Sequence, residues 1–186
     1  MALALCGCGT VADMIGGGLE RAGLKQPASV AEAKAMVPIT KDITLRIHAG
    51  DTLNVDANER PLSVVVRIYR LKDAEAFMNA PLPSFKDADA EKAAFGNELI
   101  AVREIVLTPR QKYEVIETLP LDVKFVGVVG LFRAPSQGRW RFAFDKDAAA
   151  KTGITLGAHA CAFSVASGQA HKVAPELMRL AGARCS

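Results

Sequence analysis

Charge of one sign, long apolar runs, aromatic residues and histidine are all in short supply in this chain. It carries 23 basic and 20 acidic residues, a net charge of +3. That balance creates no strong field and gives no argument for nucleic acid as a partner. No stretch approaches the roughly 20 consecutive apolar residues of a membrane-spanning helix. Aromatics make up only 6% of the 186 residues, yet half the chain is hydrophobic, enough to bury one sizeable core.

Motifs that carry chemistry are equally sparse. There is no GxSxG, no HExxH and no phosphate-binding loop. The run Gly16-Gly17-Gly18 lacks the lysine and the preceding strand that such a loop needs. The three histidines, His48, His159 and His171, show no paired ligand spacing, so no metal is expected. His159 and Cys161 share one face of a strand, which makes a Cys-His hydrolase pair conceivable. Such a pair also needs an orienting third group, and a strand histidine beside a structural cysteine is the plainer reading. No enzymatic activity and no cofactor are expected.

What is present starts at the N-terminus. Leu5-Cys6-Gly7-Cys8-Gly9 reads as a bacterial lipoprotein processing site. Gly7 supplies the small residue before the scissile bond, and Leu5 lies three positions before Cys8. Cleavage before Cys6 would put bulky Leu5 where a small residue is needed. Cys8 then becomes the new terminus, with diacylglycerol on its sulfur and an acyl chain on its amine. A signal peptide has a charged start and about 7–15 apolar residues. Residues 1–7 supply no charge and a short stub, so they are read as the remnant of a leader whose beginning is missing. The competing reading is an incidental cysteine pair at a frayed end. Gly9 after the modified cysteine, rather than Asp, agrees with sorting to the outer membrane.

The expected organisation is a lipidated tether over 8–38 followed by one domain over 39–186. Capping-box spacing at Ser29-Val30-Ala31-Glu32 gives the tether helical content, and Pro38 stops it. From there the pattern is that of strands. Ile43, Leu45 and Ile47 alternate with Thr44, Arg46 and His48. Leu62 to Leu71 and Val123 to Phe132 are too apolar for sheet edges; Ile100–Leu107, Tyr113–Thr118, Trp140–Phe144, Ile154–Leu156 and Cys161–Val165 follow, with a short strand near 169–173. Short, regularly spaced strands punctuated by Gly and Pro turns predict a mainly β, antiparallel sandwich. A helical insertion over about 73–98 interrupts it, anchored by Phe77, Phe85 and Phe95. Cys161 and Cys185 lack CxxC spacing. In an oxidising compartment they can bond, closing a loop worth about 3 kcal/mol; the alternative is two unpaired thiols.

The longest polar connection is the loop over 49–61, about a dozen residues where a hairpin needs two. Asp56 and Asn58 have the Asp-x-Asn spacing of a calcium loop, but its glycine and distal Glu are absent. Long loops in compact domains tend to be functional, and partner contact stands here against an idle solvated loop.

The block from Leu53-Asn54-Val55-Asp56 through Arg60-Pro61-Leu62-Ser63-Val64-Val65-Val66-Arg67-Ile68-Tyr69-Arg70-Leu71 resembles the outer-membrane lipoprotein family of the bacterial type VI secretion system (SciN, VasD-like, TssJ). Ser63 stands where that family commonly has Pro. The resemblance continues through Arg103–Pro109, Val128–Arg133 and Trp140–Phe142, covering about residues 40–165. It implies a transthyretin-like sandwich with an added helical segment and no enzymatic activity. It also implies an acylated protein on the periplasmic face of the outer membrane, holding the periplasmic domain of an IcmF-like (TssM) inner-membrane partner. By position, the partner-contacting loop falls on Asp51, Thr52, Leu53, Asn54, Val55, Asp56, Ala57, Asn58, Glu59 and Arg60. Deleting Thr52 to Glu59 is expected to leave the fold intact and weaken partner capture. The alternative function is a periplasmic lipoprotein that binds a small ligand or cell-wall component.

Overall fold

The computed structural model describes residues 39–185. The processing site at Cys8 and the 8–38 tether lie outside them.

Period-two alternation builds two four-stranded sheets. β1 (Lys41–Ala49) buries Ile43, Leu45 and Ile47 and turns Thr44, Arg46 and His48 outward. It lies in the order β4-β1-β7-β8, with β4 at Lys112–Leu119, β7 at Ile154–Ala158 and β8 at Phe163–Ser167. The second sheet has the order β3-β2-β5-β6, with β2 at Val64–Leu71, β3 at Leu99–Leu107, β5 at Phe125–Gly130 and β6 at Arg141–Asp145. The two most apolar strands, β2 and β5, pair with each other in its centre. The expected strand near 169–173 reduces to a single bridge, Ala170 to Phe144, on the free edge of β6.

One pair departs from the antiparallel expectation. β1 and β7 run parallel, Leu45 opposite Ile154. A parallel pair needs a crossover, and here helix α3 belongs to it. (α1, α2 and α3 denote Glu75–Asn79, Ala88–Phe95 and Lys146–Thr152.) The chain leaves one sheet at β6, turns through α3 and enters the other beside β1. The sequence reading did not anticipate α3, although its signals are present. Asp145 caps it by accepting from the Ala148 amide at 2.9 Å, three alanines follow, and Gly153 ends it at φ +66°.

The faces of β2 and β5 explain the helical insertion. Val64, Val66, Ile68, Val126 and Val128 point between the sheets, joining Ile43, Leu45, Ile47, Phe142, Phe144, Leu156 and Phe163 in the main core. Tyr69, Leu71, Val129 and Ala143 point to the opposite face, where water would otherwise meet them. α1, a 3-10 turn at Leu82–Phe85 and α2 cover that face. Phe77, Phe85 and Phe95 pack on Tyr69 with ring centroids 5.3–6.2 Å away, edge-on or tilted. Gly127 makes room for them, since a Cβ there would stand 2.6 Å from the Phe77 ring.

Polar groups lock the insertion in place. The buried Glu91 of α2 accepts from Arg67 at 2.7 Å and from the Tyr69 hydroxyl. Burial raises the Tyr69 pKa, and the Glu91 carboxylate raises it further. Arg67 also donates to Glu104 at 2.7 Å and to the Phe85 carbonyl at 2.9 Å. From β6, Arg141 donates to the Met78 and Ala80 carbonyls at the end of α1 and lies 4.5 Å over the Trp140 ring. Burial pulls its pKa down to about 10.

Candidate functional site

The parallel run of β1 and β7 brings their following loops to one end of the sandwich. The 50–63 loop leaves β1 there, and the 159–162 turn leaves β7. Backbone bonds tie them: Gly50 to the Ala158 carbonyl at 2.8 Å, Asn54 to His159 at 3.1 Å and Val55 to Ala160 at 3.2 Å. The β3–β4 turn joins them through the Arg110 amide on the Gly50 carbonyl and the Arg110–Asp51 ion pair at 2.8 Å. The β5–β6 connection completes the cluster, its Ser136 amide donating to the Cys161 carbonyl at 2.8 Å.

Within the long loop the ten candidate residues divide. Leu53 and Asn54 are buried. Leu53 joins the main core, and its carbonyl accepts the Leu62 amide at 2.9 Å. Asn54 adopts φ +44°, donates to the Ser63 carbonyl at 2.7 Å and accepts the Arg133 amide at 2.8 Å. These two residues therefore hold the loop down rather than offering contacts. The expectation that Thr52 to Glu59 can be deleted with the fold intact is corrected accordingly: the cut would remove a core side chain and an amide that satisfies two backbone groups. Asp51, Thr52, Ala57, Asn58, Glu59 and Arg60 are exposed, and Val55 and Asp56 are half-buried.

The Asp56-x-Asn58 spacing is explained by a turn. One Asp56 oxygen accepts the Asn58 amide at 2.8 Å and the Arg60 amide at 3.0 Å; the other accepts Arg60 Nε at 2.8 Å. These bonds, led by the Arg60 side chain, hold the Asp56 carboxyl below its ordinary 3.8. The loop tip is thus a rigid projection from which Ala57, Asn58 and Glu59 stand into solvent.

Cys161 and Cys185 are joined by a disulfide, their Cα atoms 5.5 Å apart. A bonded sulfur is no nucleophile, so the Cys161–His159 hydrolase reading falls. His159 faces Ser164 instead, with Nε2 and Oγ 2.8 Å apart, over Gly157. Burial lowers the His159 pKa from its ordinary value. The sequence reading missed Arg133, Arg139 and Ser136 as parts of this end of the molecule. No periodicity marks Arg133 or Ser136, and Arg139, which alternation would place at the start of a strand, lies with them in the irregular connection before β6.

The arrangement offers projecting loops at one end of a rigid frame, suited to gripping another macromolecule. Residues 41–161 match the family model described as type VI secretion lipoprotein, VasD, EvfM, TssJ. The chain belongs to the type VI secretion lipoprotein family. Solved structures agree with that placement. The T6SS lipoprotein TssJ1 from Pseudomonas aeruginosa is 22% identical, with a TM-score of 0.63 over 72% of this chain and 100% of its own. A chain of a structure described as "Type VI membrane complex" is 28% identical, with a TM-score of 0.62 over 68% of this chain and 98% of its own. A chain of the structure described as the T6SS protein TssM C-terminal domain (869-1107) from EAEC is 30% identical, with a TM-score of 0.56 over 67% and 97%. No curated protein matches the sequence. The type VI secretion lipoproteins are components of a secretion-system membrane complex rather than a known enzyme family.

Proposed function

We propose that the protein is the outer-membrane lipoprotein of a type VI secretion membrane complex, and that it anchors the periplasmic domain of the TssM-type inner-membrane partner. The observation that carries this reading is its 28–30% identity, over nearly the full length of the matched chains, to chains in the membrane-complex and TssM-domain structures. The mechanism is physical. Lipid on Cys8 fixes the domain to the periplasmic face of the outer membrane, and several acyl chains hold far more firmly than one. The exposed part of the loop, Asp51, Thr52 and Val55 to Arg60, meets the partner. Leu53 and Asn54 keep that surface preformed, which lowers the ordering cost of binding.

Two measurements test the reading. Cys8→Ser abolishes incorporation of labelled palmitate and releases the chain from the outer-membrane fraction; persistent acylation would contradict the lipid assignment. Asn58→Arg with Glu59→Arg weakens binding to the cognate TssM periplasmic domain by at least about tenfold, since a few central contacts carry most of an interface's energy. Unchanged affinity in a titration calorimeter removes the loop tip from the interface.

A further inference from the structure

We infer that the C-terminal strap, residues 168–185, forms a second half of the docking surface, in which a cationic cleft beside the loop tip receives an acidic segment of the same periplasmic partner. This rests on the proposed anchoring role of the 51–60 loop and extends it to residues beyond the 41–161 family match.

The strap is built to reach that place. After β8 it crosses to the other sheet, where Ala170 bridges Phe144 and the His171 amide donates to the Ala143 carbonyl at 2.7 Å. It then passes under Arg139, a largely buried side chain that donates to the Glu176, Arg179 and Ala181 carbonyls at 3.2 Å each. One guanidinium reading three main-chain carbonyls fixes the path of the strap without regard to its side chains. The Arg184 amide donates to Ser136 Oγ at 3.1 Å, and the Cys185–Cys161 disulfide ends the course. These constraints, the first toward the far end of β6 and the later ones at the loop cluster, give the last residues of an irregular segment a defined position.

That position adjoins the loop. Cys185 lines a cleft of about 370 Å³ together with Val55, Asp56, Ala57, Arg133 and Ala134. Three chain segments distant in sequence thus share one concave surface, continuous with the exposed loop tip. Its charge is lopsided. Asp56 is paired with Arg60 at 2.7 Å and feels Arg133 only as a weaker, longer-range charge, and neither the Arg133 nor the Arg184 guanidinium forms a salt bridge among the described residues. Both arginines are exposed. Arg133 stands beside a small apolar floor of Val55, Ala57 and Ala134, and Arg184 lines the neighbouring cleft that shares Cys185; such a surface suits a partner carboxylate presented on an extended segment, by bidentate hydrogen bonding to Arg133.

The test titrates the cognate TssM periplasmic domain into the full chain and three variants. Arg133→Glu weakens binding about tenfold or more with an unchanged thermal midpoint. Cys161→Ser with Cys185→Ser, checked as folded by far-ultraviolet circular dichroism, weakens it several-fold, as does dithiothreitol on the wild-type chain. The loop-tip pair Asn58→Arg and Glu59→Arg serves as the reference. If that pair impairs binding while Arg133→Glu and the cysteine variant both bind within twofold of wild type, the strap is no part of the interface and the inference is overturned. If Arg133→Glu weakens binding but the cysteine variant does not, the strap is no part of the surface and the inference is likewise overturned; if the loop-tip pair has no effect while both other variants lose binding, the anchoring loop is misplaced but the strap-lined cleft stands.

Discussion

Gly127 has no side chain because Phe77 occupies the place a Cβ would take. Gly127→Ala is expected to destabilise by about 1–3 kcal/mol through overpacking, read as a lower denaturant midpoint, and Phe77→Leu in the same chain should recover part of the loss. At His159, burial lowers the pKa from 6.5, so protonation is harder in the folded state than in the unfolded chain. Its contribution is fully present above pH 6.5 and is lost as the pH falls through the depressed folded value. Unfolding free energy should therefore drop as the pH falls below 6.5 more steeply in the wild type than in His159→Gln; parallel profiles would contradict it. Asp56 follows the same sign on a lower scale: its support for the loop is present above pH 3.8 and is lost only as the pH falls through a still lower value.

At the scale of elements, Glu91 is the one buried acid among the groups that hold the helical insertion to the sheet. Removing Glu91 leaves Arg67 and the Tyr69 hydroxyl facing an apolar pocket. Glu91→Ala should cost about 3 kcal/mol, the low end for breaking a buried pair, because Arg67 keeps Glu104. Urea denaturation measures it. Asp145→Ala, which removes the cap of α3, should cost about 1 kcal/mol by the same measurement. Both elements were differently legible. The insertion announced itself by its Ala, Asp, Glu and Lys content between two strongly β-branched strands, and its three phenylalanines were the aromatic residues available to bury. α3, Lys146–Thr152, follows directly on the strand residue Asp145 that caps it, and its crossover role exists only because β7 lies parallel to β1. The loop at 49–61 was visible by length. That Leu53 and Asn54 belong to the core was not, since a single Leu in a polar stretch looks the same whether it points in or out.

For the whole molecule, the Cys161–Cys185 disulfide closes a segment of 24 residues. In the chain-entropy account this stabilises by about 3 kcal/mol. Reduction should lower the thermal midpoint of the wild type and leave the double serine variant unmoved. The sequence by itself determined what depends on neighbours along the chain. Alternation named β1, apolar runs identified β2 and β5 as central strands, and the block from Leu53 to Leu71 identified the family. Only the tertiary structure decided which sheet each strand joined, that one pair is parallel, and that Ala57, Arg133 and Cys185 border one cleft. The reason is physical: periodicity records which face of a strand is dry, a property of each residue and its near neighbours. The meeting of three irregular segments depends on long-range packing and on single contacts, such as Asn54 with the Arg133 amide, that leave no repeating trace.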